Sequence, residues 1–318
     1  MVGERTEEGF RALTLESRAL GGIEAIFVPE AGMICCSLRH RGDELLGQRG
    51  GLGRYVEVGS TMGIPFLHPW ANRLGRSRFE LAGREVDLEL DGLHVKRDGE
   101  GLPMHGLLTA ARGWQVERHL ELEGEEGDGG VLAASFDFGA YPRLVEAFPF
   151  PHRAEIAATL TGAELRIVTT VRAGEAGLPV AFGFHPYLQL PGVERSEWEI
   201  EAPVRERLEL DERMLPTGRR EPVEIESGRL GSRTFDDAYL APTDGTPFAL
   251  AGGGRRLELR MGERYPFAQV YAPEDLAAVA FEPMTAPTNA LVSGEDLPML
   301  TAGESFSASF AIAIAETA

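Results

Sequence analysis

The C-terminal stretch SFSASFAIAIA, residues 305–315, sets Phe306, Ala308, Phe310, Ile312 and Ile314 at every second position with Ser or Ala between them. A two-residue apolar period puts all five side chains on one face of an extended chain, which is the pattern of a strand buried on one side. The same alternation recurs in FELAGREVDLEL (79–90), ELRIVTTV (164–171), RRLELRM (255–261), FAQVYA (267–272) and LAAVAFE (276–282), each bounded by Gly, Pro, Asp or Asn. No long segment sustains a 3.6-residue apolar period, and 39 Gly and 20 Pro interrupt the chain too often for a helical bundle or a strand-helix-strand series. The expected fold is all-β, a large antiparallel β-sandwich of two packed sheets with at most a few short helices. The acidic ELEGEEGDGG at 121–130 reads as a hairpin tip or loop, since strand patterning resumes on both sides, and residues 1–318 read as a single domain.

Composition narrows the function classes. Hydrophobic residues make up 43% and charged residues 25%, as in a folded soluble protein, and the formal net charge is -19. Such a charge opposes binding to phosphate backbones and anionic lipid surfaces, so neither nucleic acid nor membrane is an expected partner. No apolar run approaches the ~20 residues needed to cross a bilayer. The opening MVGERTEEGF lacks a basic patch followed by an apolar stretch, which makes a cytoplasmic location the expectation. Cys35 and Cys36 are adjacent, an awkward geometry for a mutual disulfide. The histidines and cysteines show no paired zinc-type spacing, and no Gly-rich nucleotide loop occurs, so no metal or nucleotide cofactor is expected.

Four segments place polar or titratable residues in apolar, Pro-bounded surroundings: GIPFLHPWANRL (63–74), MHGLL (104–108), FGFHPYLQL (182–190) and AVAFEPMTAPTNAL (278–291). A buried charge or imidazole needs a partner, so each is either a structural pairing or a site. Arg73 offers a fork of donors suited to sugar hydroxyls, or it ties a loop to a carboxylate. His105, before Gly106, is a ligand or a hydrogen-bonded structural histidine. His185 ends an apolar strand, where burial would hold its pKa near or below neutral, or it stacks in an aromatic core. Glu282 ends the apolar AAVAFE just before Pro283, which should terminate the ladder, and it is either a working carboxylate or a wetted strand end. In RTFDDAYL, Asp236 and Asp237 point to opposite faces if the segment is a strand, so at most one reaches a given cleft.

Taken in order, these segments resemble the aldose 1-epimerase (galactose mutarotase) family over about residues 20–315. Asn72 and Arg73, followed by Phe79 and Gly83, look like its Asn-Arg segment, MHGLL its His-Gly segment, FHPYLQL its His-Pro-Tyr segment, FDDAY its Asp-bearing strand, and FEPMTAPTNAL its Glu-Pro segment. Leu107, Phe184 and Gln189 depart from the usual pattern. The resemblance implies a galactose mutarotase-like supersandwich, no cofactor, and interconversion of the α and β anomers of a free hexose. It further implies Glu282 as general base, His185 as general acid entering protonated, and Arg73, His105, Asp236 and Asn72 as substrate-binding residues. A monomer and a homodimer are both compatible with it. Two rival readings stand beside it. A hexose 6-phosphate mutarotase would need clustered cations. A carbohydrate-binding or sensor protein that does no chemistry would be expected to have lost Glu282 or His185.

Overall fold

In the computed structural model, which describes residues 1–122, 128–242 and 244–317, the C-terminal strand Ser305–Glu316 is the centre of a nine-stranded antiparallel sheet. It pairs with Glu164–Ala173 on one side and Arg255–Met261 on the other, so both edges of its backbone are satisfied. Phe306, Ala308, Phe310, Ile312 and Ile314 are all buried, while Ser305 and Ser307 are exposed. Each buried Phe or Ile contributes roughly 1.5–3 kcal/mol relative to leaving it in water. ELRIVTTV, RRLELRM and FAQVYA lie on strands, LAAVAFE does so only from Val279 onward, and FELAGREVDLEL forms the hairpin Arg78–Leu81 and Arg84–Asp87. That hairpin turns on Ala82 and Gly83, with φ of 48° and 73°, the positive values a twisted two-residue connection requires.

A second, eight-stranded sheet packs against the first. It includes Phe235–Leu240, Phe267–Ala272, Val279–Met284, Gly183–Phe184 and Phe66–Leu67 in spatial order, with Tyr187–Leu188 also paired to Val279–Met284. The sheets meet through aromatic side chains, with ring centroids 5.0 Å apart for Phe184 and Phe310 and 5.1 Å for Phe248 and Phe281. A five-stranded sheet of Val2–Glu7, Phe10–Ser17, Ile23–Val28, Ile34–His40 and Asp43–Glu44 adds to the same core. The α-helices among the described residues are short: Gly51–Val58, Pro142–Ala147 and Ala290–Ser293. None is long and apolar enough to cross a membrane.

The acidic stretch joins Gln115–Glu121 to its antiparallel partner Gly129–Asp137, and the expected tip, residues 123–127, lies outside the described residues. Cys35 and Cys36 are buried free thiols. One local expectation needs correction. Pro283 does not end its ladder, which continues to Met284; on that side the neighbouring strand offers only the pair Gly183 and Met284, so a missing N–H costs little there.

Period-2 alternation decides which residues of the second sheet face the core. Val279 and Phe281, with Ala268, Val270 and Ala272 beside them, join the main core. Glu282 therefore points to the opposite face, in register with Gln269 across the ladder. That face, turned away from the sandwich interior, is where the site forms.

Candidate active site

His185 follows Phe182 and Phe184, whose rings enter the aromatic core, so alternation turns the imidazole to the face that bears Glu282. The two meet with His185 Nε2 3.1 Å from Glu282 Oε1, and their side chains are 6% and 3% exposed. Both alternatives for His185 are realised together: it faces the carboxylate and also stacks on Tyr187 at 4.0 Å between ring centroids. The wetted-end alternative for Glu282 fails, because the residue is 2% exposed.

Backbone clamps bring the other segments alongside. His105 N–H donates to the Asn72 carbonyl at 2.9 Å, and Leu107 and Leu108 N–H both donate to the His68 carbonyl, at 2.7 and 3.0 Å. Asn72 and His105 sit in the left-handed region, with φ of 54° and 66°, backbone that the surrounding bonds over-determine. Gly106 is obligatory between them: its φ is +77°, and a Cβ would lie 2.2 Å from the His68 carbonyl oxygen. This close approach sets the His105 ring edge-on to His185, with centroids 5.7 Å apart.

Arg73 does tie a loop down, donating from Nε to Asp98 Oδ2 at 2.9 Å, while its other arm donates to Asn72 Oδ1 at 2.9 Å. It nonetheless belongs to the site, since its charge lowers the pKa of Glu282. Asp236 and Asp237 separate as a strand dictates. Asp236 accepts from Gln269 Nε2 at 2.7 Å and acts on Glu282, whereas Asp237 lies 3.6 Å from Arg207 on the other face. Glu282, His185, His105, Asn72, Arg73 and Asp236 therefore share one site, and Asp237 is outside it. Of the departing residues, Phe184 fills core and Gln189 donates to the Glu44 carbonyl at 3.0 Å.

The electrostatics are those of a desolvated site. Burial, then the Asp236 charge, pushes the Glu282 carboxyl well above the usual range, against the opposing pull of Arg73 and Lys96. Burial, then Lys96 and Arg49, pushes the His185 imidazole well below its ordinary value, and burial does the same to His105. Both shifts favour the uncharged forms, the carboxylic acid of Glu282 and the neutral imidazole of His185, and burial is the first cause of each. Glu282 Oε2, His185 Nδ1 and His105 Nδ1 are buried without a hydrogen-bond partner, an unusual concentration of unsatisfied polar atoms that points to a ligand.

Sequence reasoning missed several neighbours. Lys96, in LHVKRDGE, is the only lysine in the chain, and its pKa is pushed down to about 8 by burial and by Arg49. Arg49 donates to Tyr187 Oη at 3.1 Å, and that hydroxyl shares a 2.7 Å bond with Thr61 Oγ1. Tyr271 stands edge-on to His185 at 5.6 Å. Gln269 carried a readable signal, an amide inside the apolar FAQVYA; Lys96 and Arg49 carried only their type.

A family model described as aldose 1-epimerase matches residues 33–313. The chain is 25% identical over 248 residues to YihR of Escherichia coli (strain K12), a protein described as uncharacterized, covering 75% of this chain and 74% of that one. Among solved structures, a galactose mutarotase-like protein from Clostridium acetobutylicum superposes with a TM-score of 0.84 at 17% identity, over 100% of this chain and 99% of the other. Galactose 1-epimerase from Lactobacillus acidophilus NCFM superposes at 0.76 with 14% identity, again over 100% and 99%. At these identities the structural likenesses establish the fold.

Proposed function

Because the chain belongs to the aldose 1-epimerase family, we propose that it interconverts the α and β anomers of an aldopyranose by acid-base ring opening at Glu282 and His185. The observation that carries this reading is the 3.1 Å contact of a buried carboxyl and a buried imidazole, with the outer atoms of both left unpartnered. Ring opening needs one group to take the proton of the anomeric hydroxyl and another to give a proton to the ring oxygen. Glu282 serves as the first and His185 as the second. The bond from the anomeric carbon to the ring oxygen breaks, an aldehyde forms, the first carbon-carbon bond rotates, and the roles reverse on closure. No net proton is gained or lost.

With sugar bound, Glu282 acts as the carboxylate and His185 as the imidazolium, a distribution of protons that their 3.1 Å contact permits. Arg73, which favours the carboxylate, supports it, whereas Lys96 favours the carboxylate but opposes the charged imidazole. Arg73, Asn72, His105 and Asp236 surround the pair with donors and acceptors suited to ring hydroxyls, an orientation contribution as large as the proton transfers themselves. A binding or sensor role without chemistry would not require a carboxyl and an imidazole at bonding distance.

The test is polarimetry on freshly dissolved α-aldoses with the wild type and Glu282→Gln. The wild type should accelerate the approach to anomeric equilibrium, and the variant, isosteric but without a base, should lose ~10²-fold or more. Near-full rate in the variant would refute the assignment.

A further inference from the structure

A histidine that handles protons needs its ring plane fixed, yet the second side-chain torsion of histidine has no sharp staggered preference, so contacts must set it. Commonly the far ring nitrogen does this through a hydrogen bond to a carbonyl or carboxylate. His185 lacks that tether: its Nε2 faces Glu282, and its Nδ1 is buried without a hydrogen-bond partner among the described residues. What meets the imidazole instead is a ring face. Tyr187 lies parallel to it within 11°, with centroids 4.0 Å apart, whereas His105 and Tyr271 present only edges, at 5.7 and 5.6 Å.

The sequence builds this stack stiffly. His185 and Tyr187 are two residues apart, so an extended backbone puts both rings on one face. Pro186 between them has a fixed φ and favours extended backbone at His185, which sets the rise from one ring to the next. Tyr187 is buried and anchored at both ends: its N–H donates to the Gly63 carbonyl at 2.9 Å, its carbonyl accepts from Gly47 N–H at 2.8 Å, and its hydroxyl accepts from Arg49 at 3.1 Å and shares a 2.7 Å bond with Thr61 Oγ1. Gly47 packs against it so closely that a Cβ there would lie 3.2 Å from Tyr187 Cβ. Unlike Tyr239 and Tyr265, Tyr187 joins no apolar core cluster among the described residues, so its ring is buried on the site face rather than in the interior.

Resting on the acid-base reading above, we propose that Tyr187 is the positioning residue of His185: its ring face holds the imidazole in the plane in which Nε2 meets Glu282 and Nδ1 stays open to the sugar, and Thr61 and Arg49 hold that face in place. The effect belongs to the rate, because a reacting group displaced by about 1 Å can cost ~10²-fold. KM should change little, since the Tyr187 hydroxyl is already engaged by Thr61 and Arg49 and is not needed by the sugar.

The experiment measures kcat and KM for anomerisation of the fastest aldose, together with the His185 ring-proton resonances by NMR, in the wild type, Tyr187→Leu, Tyr187→Phe and Thr61→Val. Tyr187→Leu, which keeps apolar bulk and removes the face, should lower kcat about 10- to 10²-fold while KM changes less than about threefold. Tyr187→Phe restores the face and should recover most of that loss. Thr61→Val leaves both rings in place and frees the hydroxyl; it should lower kcat by a smaller factor and move the His185 resonances, which the Tyr187 ring current displaces. An unchanged kcat in Tyr187→Leu, a loss carried by KM alone, or Tyr187→Phe as slow as Tyr187→Leu would overturn the proposal while leaving the acid-base reading intact. If Tyr187→Leu does not fold, Thr61→Val decides, and kcat and resonances both unchanged in it would overturn the proposal. A wild type that anomerises no aldose would count against the acid-base reading instead, and the resonances in Thr61→Val would still decide whether the stack holds the imidazole.

Discussion

Gln269 Nε2 donates to Asp236 Oδ1 at 2.7 Å, and Gln269 is itself the register partner of Glu282. The amide thereby fixes a carboxylate beside Glu282, and that negative charge helps hold the Glu282 pKa up. Asp236→Asn removes the charge and keeps the shape. We expect the acid limb of the pH-rate profile to move to lower pH, because Glu282 then ionises more readily, while KM rises about tenfold from the lost ligand. A limb that stays in place would dissociate Asp236 from Glu282.

Arg73 exerts the opposite influence. Arg73→Met should raise the Glu282 pKa further and shift the same limb to higher pH. It also leaves Asp98, 10% exposed at its side chain, without its 2.9 Å partner. An unpaired, largely buried carboxylate costs about 1–3 kcal/mol, readable as a lower urea midpoint. Opposite limb shifts in the Asp236 and Arg73 variants form a paired test that a general loss of folding could not mimic.

Gly106→Ala should damage the site through the backbone. Its Cβ would meet the His68 carbonyl oxygen at 2.2 Å with φ at +77°, and neither atom is the end of a flexible side chain. Separation of the two clamped segments displaces His105 and lowers stability by more than about 1 kcal/mol. Differential scanning calorimetry together with anomerisation rates checks both effects.

His68 and His152 form a buried pair away from the site, with Nε2 atoms 2.6 Å apart and His152 Nδ1 2.6 Å from the Phe150 carbonyl. Burial pushes both pKa values down, that of His152 to about 4. A lowered histidine pKa leaves stability unaffected above the unfolded value near 6.5 and erodes it as pH falls toward the folded value, because only the unfolded chain binds the proton. Urea midpoints should therefore drop between about pH 6.5 and about pH 4, and His152→Gln should flatten that dependence.

The fold was legible because alternation is a local property. SFSASFAIAIA, ELRIVTTV and FAQVYA each declare one buried face without reference to the rest of the chain, and all three are strands in the packed sheets. Glu282, His185, His105 and Arg73 were visible as polar residues in apolar surroundings. Their meeting was not, because it depends on clamps such as His105 N–H to the Asn72 carbonyl that join distant segments. Lys96 was least legible: it stands among charged residues in LHVKRDGE, so nothing local separates a lysine drawn into the site from one facing water. Which of Asp236 and Asp237 faces Glu282 likewise required the sheet, although their opposition followed from the strand itself.

Glu282 and His185 act as one proton-handling unit in this account, and a double-mutant cycle on anomer exchange, followed by NMR in Glu282→Gln, His185→Asn and the combined variant, tests it most directly. Each single change should lower turnover by ~10²- to 10⁴-fold, and the double variant should be about as slow as the slower single, because a unit can be broken only once. Either single variant turning over at close to the wild-type rate would contradict the account.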